Sequence, residues 1–415
     1  MKYDVIIIGG GLSSLTAGIK LADLGKRVCL VSEGQNALHF FSGSFDLLGY
    51  NLEGKTVKNP IDAITSLPEN HPYNIIGNKN ITALADTAKS LLNEIGIKTI
   101  GDSANNHYRI TPIGTLKPTW LTVDSLATSE SIDKLNWKTA DLINIKGFLD
   151  LPVSFLSHNL KKIGTECHVK DITTEVLTQA RKSPTEMRAS NIAKYLNDKS
   201  SLEDFADAIN SISSDSEVVL LPSVIGIFSD HQVDVLRKLI KKPIAFVATM
   251  PPSVTGIRIS TLLKQKFHEL GGTILVGNKA ISGEFKDNKL DSIAIQQLPD
   301  EKFYADNFIL ATGSFLSHGI ESNYNRIYEP IFDLDVESDF DRKNWTVENV
   351  YSTQPYMSYG VKVNNDFKVS KAGKIIQNLY AIGSVICGNN DVQLSSYAGV
   401  SMLTALKVTE ILNRR

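Results

Sequence analysis

Cysteine is scarce in this chain: Cys29, Cys167 and Cys387 are the only three in 415 residues, far apart and without a CxxC spacing. That excludes a disulfide scaffold, a zinc ribbon and iron–sulfur ligation, each of which needs clustered thiolates. The three read as small buried hydrophobes. A strong excess of either charge is missing too, with a formal net charge of -2. A nucleic-acid partner is disfavoured, because phosphate binding leaves a basic footprint. No apolar run approaches the roughly 20 residues needed to cross a bilayer. The first strand begins near Tyr3, which leaves no room for a signal peptide and sets the expectation that the chain is not exported. Repeats and low-complexity segments are also absent. What remains, 42% hydrophobic and 21% charged residues, is the composition of a soluble globular protein. Its length suits two or three domains, or one with a large insertion.

The clearest unit is at the N-terminus. Val5-Ile6-Ile7-Ile8 is a β-branched run suited to a strand buried on both faces. Gly9-Gly10-Gly11 turns the chain, and Leu12, Leu15, Ile19, Leu21 and Leu24 give a helix that Gly25 stops. Val28–Val31 is the next parallel strand. From about residue 51 to 250 the pattern loosens into a β-α-β rhythm. It returns after Thr255, with two more short strands that end in glycine, ILATG (309–313) and YAIG (380–383), and a long last helix. The expectation is an α/β fold with a doubly wound FAD/NAD(P)-binding-type sheet built from both chain ends. Residues 1–50 and 251–415 would form that Rossmann-like domain and 51–250 an inserted α/β domain, with ligands at the carboxyl edge of the strands.

Gly9-x-Gly11-x-x-Ser14 stands between strand and helix, as nucleotide binding requires. Gly9 permits the tight turn, and Gly11 lets a phosphate approach backbone N–H groups at the helix N-terminus. Ser14 supplies the small residue that close helix–strand packing needs. At the end of the second strand, where a carboxylate usually grips an adenosine ribose, Ser32 stands instead and Glu33 comes one residue late.

The two-motif pattern, with ADNFILATGSF and then NLYAIGSV before the last helix, resembles glutathione-reductase-like flavoproteins. That resemblance implies roles for Gly313 and Gly383 at the flavin, and for an acid after the second glycine strand. Here that position is Ser384. Along nearly the whole chain ALHFFSGSFDLL, HPYNIIG, RITPIGTLKPTW, MPPSVTGIRI, ATGSF and AIGSV, in this order, resemble the B-subunit family of anaerobic glycerol-3-phosphate dehydrogenases. The resemblance implies an FMN-associated flavoprotein that works with a catalytic FAD-containing A subunit and a membrane-bound iron–sulfur C subunit. It also implies oxidation of sn-glycerol 3-phosphate to dihydroxyacetone phosphate, with electrons passed by way of quinone towards fumarate or nitrate. The location it implies is cytoplasmic, on the inner face of the inner membrane through those partners.

Ser32 and Ser384 both stand where acids are usual, which fits a flavin without an AMP half. FMN is therefore the expected cofactor. FAD is the alternative, in which Glu33 curls back to the ribose. Ser42-Gly43-Ser44 could bind a phosphate or a ring edge, or could be an ordinary turn. His39 lies near the place where the fumarate-reductase branch carries a flavin-linked histidine, but reads first as a hydrogen-bonded structural histidine. Arg109, Lys117 and Arg258 read first as solvated basic side chains and are candidates for holding a substrate dianion. The sequence assigns no base, although His71 and His107 are candidates. Two other readings stay open: a self-sufficient flavin oxidoreductase of another polyol phosphate or amino acid, and a non-catalytic subunit with degenerate motifs.

Overall fold

The computed structural model describes residues 2–414, which divide into two compact units. The first comprises residues 1–37, 46–95 and 263–415, and the second 38–45 and 96–262.

The chain opens with β1 (Lys2–Ile8), α1 (Leu12–Asp23) and β2 (Val28–Ser32). Two helices follow, α2 (Pro72–Ile76) and α3 (Asn78–Glu94). The second unit then contributes β3 (His107–Ile110), β4 (Leu116–Thr119), β5 (Thr139–Ile145) and α4 (Val153–Lys162). It continues with β6 (Glu166–Ile172), α5 (Lys199–Ile212), β7 (Val218–Pro222), α6 (His231–Leu239) and β8 (Ile244–Val247). Helix α7 (Val254–Glu269) leads back to the first unit. There β9 (Thr273–Val276), β10 (Ala280–Lys286), β11 (Lys289–Ile295), β12 (Leu298–Leu310), β13 (Lys374–Ala381) and α8 (Tyr397–Asn413) complete the fold.

In the first unit β9, β2, β1, β12 and β13 lie side by side, all parallel. Strands buried on both faces must be apolar throughout, and Val5–Ile8, Val28–Val31 and Phe308–Leu310 are. The 13-residue β12 makes pairings of opposite sense: its first half runs antiparallel to β11 and its second half parallel to β1. Gly18 lets α1 lie close to β2, since a Cβ there would stand 3.0 Å from the Leu30 side chain.

The second unit has its own parallel sheet, in the order β6-β5-β7-β8. Helix α5 shows why this half forms its own core. Leu202, Phe205, Ala206 and Ile209 fall at the i, i+3, i+4, i+7 spacing and are all buried. Asp198 caps the helix by accepting the Ser200 and Ser201 amides.

The unit boundaries differ from those expected at residues 50 and 251. Helices α2 and α3 belong to the first unit, where α3 buries Ile81, Leu84, Ala88 and Leu92 and packs on α8. An apolar stripe shows that a helix has a core face, but not which core it meets. The structure also contains β6 and α5, which the sequence pattern does not single out. The β6 residues ECHVKDI are mostly exposed and polar, as an edge strand permits.

Candidate functional site

The carboxyl ends of β1, β12 and β13 meet at adjacent positions of the first unit's sheet, each followed closely by glycine. Gly9 has φ +131°, and a Cβ on it would lie 2.2 Å from the Ala311 carbonyl oxygen just past the end of β12. No side chain fits there. Gly10 faces Ser32, whose Oγ would be 2.2 Å from an added Cβ. Gly11 differs: the nearest atom to an added Cβ is the Tyr397 hydroxyl at 4.0 Å. It stands as the N-cap of α1, whose first turn holds no acid. The amides and the positive end of the helix dipole are therefore open to an anion. Ser14 is fully buried beneath this turn, and its hydroxyl has no hydrogen-bond partner among the described residues. Thr312 Oγ1, beside Gly313 (φ +84°), is buried and unpartnered in the same way.

Ser32 closes β2 with its hydroxyl donating to the Gly34 carbonyl at 3.2 Å. Glu33 turns to the surface and pairs with Lys279 at 3.3 Å. Asn36, which no motif marks, returns its side-chain amide to the Gly10 carbonyl. The loop after β2 is thus tied to the glycine turn through Asn36 and not through a carboxylate.

At Ser384 the structure supplies what the linear motif lacks. The Ser384 hydroxyl donates to the Asp391 carboxylate, which also accepts from Asn389 Nδ2 and the Ser396 hydroxyl. Burial pushes the Asp391 carboxyl above the usual carboxylate range, and these three donors pull it back. Asp391 in turn raises the phenols of Tyr73 and Tyr397, which burial has already pushed well up. Asn389 Oδ1 lies 3.1 Å from His71 Nε2, and the Tyr73 backbone N–H donates to His71 Nδ1 at 3.2 Å. An acceptor Nδ1 fixes the proton on Nε2, so His71 is neutral and donates to Asn389. Burial lowers its pKa to about 4, despite the Asn389 bond. His71 is a capping structural histidine in this arrangement, not a base. Asp391, Asn389, Ser396, Tyr397 and His71 form one polar cluster beside Gly11 and Ser384. An acid seven residues from the expected position carries no sequence signal, because only the turn after residue 385 brings it back.

The remaining candidates belong to the second unit. His39 accepts the Ser253 amide on its carbonyl at 2.8 Å. Gly43 has φ +91° and accepts the Val123 amide, and Ser44 pairs with Thr122 across a short antiparallel ladder. Arg109 and Lys117 stand directly opposite each other on the β3–β4 hairpin. Arg258 is buried and gives its guanidinium to the carbonyls of Ile225 and Gly226, 3.4 and 2.8 Å away. His107 Nε2 lies 2.8 Å from the Thr122 hydroxyl.

All three cysteines are free thiols. Burial raises Cys29 and Cys167 to about 11 and Cys387 to about 12. None is a thiolate at neutral pH. Among the described residues no helix is long and apolar enough to cross a membrane.

The chain matches the FAD binding domain family over residues 4–392. It therefore belongs to that class of flavoproteins, as the sheet and its glycine-ended strands imply. The B subunit of the anaerobic glycerol-3-phosphate dehydrogenase of Yersinia pestis is 37% identical over 414 residues, 99% of this chain and 98% of that protein. Its namesake from Pectobacterium atrosepticum is 35% identical over 413 residues, 99% of this chain and 98% of that one. The Haemophilus influenzae namesake is 36% identical over 427 residues, 99% of each chain. The chain belongs to the family of anaerobic glycerol-3-phosphate dehydrogenase B subunits.

Proposed function

We propose that this chain is the flavoprotein B subunit of an anaerobic glycerol-3-phosphate dehydrogenase. The complex oxidises sn-glycerol 3-phosphate to dihydroxyacetone phosphate and passes the two electrons through partner subunits to quinone. The observation that carries this reading is the end-to-end similarity to B subunits, 98% of their length at 37% identity. When bound, the flavin supplies a two-electron acceptor able to release its electrons singly. The location that follows is the cytoplasmic face of the membrane, where the companion A and C subunits hold the chain.

The residues of the first unit fit such a group. Gly9, Gly10 and Gly11 form the turn, and open space at Gly11 admits a phosphate to the N-terminus of α1. Ser14, Ser32, Gly313, Gly383 and Ser384 complete the carboxyl edge. Asp391 supplies through Ser384 the negative, hydrogen-bonding group that the second glycine strand would otherwise lack. That removes one of the two departures that favoured FMN. We assign FAD, in keeping with the family match. Glu33, paired at the surface with Lys279, reaches the adenosine ribose only by leaving that ion pair.

In the second unit Arg109 and Lys117 form the phosphate-binding pair for the substrate dianion. Their cross-strand register puts both cations on one face of the hairpin, where a phosphate can take charge-assisted bonds from each. Arg258 is committed to backbone carbonyls and leaves this role. Dye-linked turnover of sn-glycerol 3-phosphate tests the assignment. Turnover is expected when this chain is combined with its companion subunits. Full turnover by the isolated chain would instead favour a self-sufficient oxidoreductase.

A further inference from the structure

Residues 314–357 of the first unit leave the sheet beyond the end of β12, just after Gly313, and carry the most exposed apolar side chains among the described residues of the unit. Phe340 is 101% exposed, Tyr351 95%, Tyr324 79%, Val350 75% and Leu316 73%. Single exposed hydrophobes need no explanation, but their concentration on one segment does.

Side-chain contacts fix the segment that carries them. Arg342 lies over the Tyr324 ring at 5.0 Å and near the Trp345 ring at 5.9 Å. Trp345, buried, donates its indole N–H to the Asp339 carbonyl at 2.8 Å and accepts the Tyr356 amide on its own carbonyl at 3.0 Å. Tyr356 meets Phe315 edge-on, with centroids 5.5 Å apart. Gln354 pins the loop that bears Val350 and Tyr351, bonding residues 347, 349 and 352. The segment has little regular structure, yet side chains fix its backbone throughout. It presents aromatics on a preorganised support, which lowers the entropy cost of binding.

Its composition is that of an interface centre: Tyr, Phe, Trp and Arg. Its rim is acidic. Between residues 335 and 350 stand five carboxylates, Asp335, Glu337, Asp339, Asp341 and Glu348, against the cations Arg342 and Lys343. A second copy of this chain, docked about a two-fold axis, would set acid against acid. An anionic membrane surface would repel so acidic a segment as well.

We infer that residues 314–357 form the docking surface for a different protein, one with a basic rim around apolar pockets that receive Phe340 and Tyr351. This rests on the proposed function only for the partner's identity, a companion subunit of the same dehydrogenase. The surface begins next to Gly313, so the partner sits against the chain segment that leaves the candidate flavin edge.

The test uses the full chain co-expressed with the remaining dehydrogenase subunits of the same genome. Wild-type chain co-elutes with them on size exclusion. The variant Phe340→Ser/Tyr351→Ser loses affinity about thirtyfold or more, as removal of hot-spot aromatics does, while bound flavin and melting temperature hold. Glu348→Lys slows association and flattens its salt dependence, and Val276→Ser, at another exposed site, changes nothing. Unchanged affinity in the double variant overturns the inference. So does failure of the wild-type chain to co-elute, a photo-cross-link from position 340 to a second copy of this chain, or partition of the chain onto phosphatidylglycerol vesicles through this patch. Flavin content read in the same samples keeps the outcomes separable. A colourless chain that still docks defeats the proposed function and leaves the surface standing.

Discussion

Asp391 holds a carboxylate in a place where water does little to stabilise it. Three donors, from Ser384, Asn389 and Ser396, make up the difference. Such a group is costly for the empty protein and useful to a ligand that brings further donors. Asp391→Asn should leave the melting temperature unchanged or slightly higher while flavin affinity falls about tenfold or more, the worth of one charged hydrogen bond. Fluorescence titration beside thermal unfolding checks both halves. His71 makes the opposite demand. Its pKa near 4 lies below the unfolded value of about 6.5, so the unfolded chain binds the extra proton between them. Stability contributed by neutral His71 is present above about pH 6.5 and is lost as pH falls towards 4. The loss amounts to about 3 kcal/mol at roughly 1.36 kcal/mol per unit. Denaturant titrations at pH 7 and pH 4.5 should show this pH slope in the wild type. In His71→Asn, which retains a cap acceptor, the slope should shrink. Neither residue is marked in the sequence for what it does. Ser384 reads as a gap, because a linear motif has no means of showing the Asp391 carboxylate that a turn folds onto it. His71 reads as a possible base, and only the fold shows that both of its ring nitrogens are occupied.

The glycine turn separates structural need from ligand need within three residues. Gly9 is held at φ +131° against the Ala311 carbonyl, whereas Gly11 faces open space. Gly9→Ala should cost about 3 kcal/mol through backbone strain and overpacking together. Gly11→Ala should stay within about 0.5 kcal/mol of wild type in stability, yet bind flavin at least tenfold more weakly, because the methyl fills the approach to the helix amides. Urea midpoints and equilibrium dialysis against free flavin distinguish the two. This element is the most legible in the sequence, since β1, its turn and α1 follow from local rules alone. The end of β2 is half legible. Ser32 and Glu33 advertise a departure, but only the fold shows that Lys279 engages Glu33 and that Asn36 closes the loop. β6 and α5 escape the pattern: an edge strand need not alternate cleanly, and a stripe such as Leu202–Ile209 is hard to isolate in a loose region.

At the scale of the whole molecule, one chain builds a mixed sheet with a parallel centre and a second, wholly parallel sheet, and the first is assembled from strands at both ends of the sequence. The glycine-ended strands make that assembly legible. The placement of α2 and α3 is not, because their partner α8 lies at the far end of the chain. The released cofactor should give a fluorescence rise on phosphodiesterase treatment, as FAD does. No rise would restore FMN and leave Glu33 with Lys279 alone. Arg109→Ala should weaken binding of sn-glycerol 3-phosphate by about ten- to a hundredfold, the range for a charged hydrogen bond, without altering the flavin spectrum. The most searching measurement is the anaerobic absorption spectrum of the complex, containing this chain, on addition of sn-glycerol 3-phosphate. The flavin held by this chain should bleach, and should stay oxidised when glycerol replaces the phosphate ester. A chain that carries no flavin in the active complex, or whose flavin never bleaches while product forms, would contradict its role as the flavoprotein of the dehydrogenase.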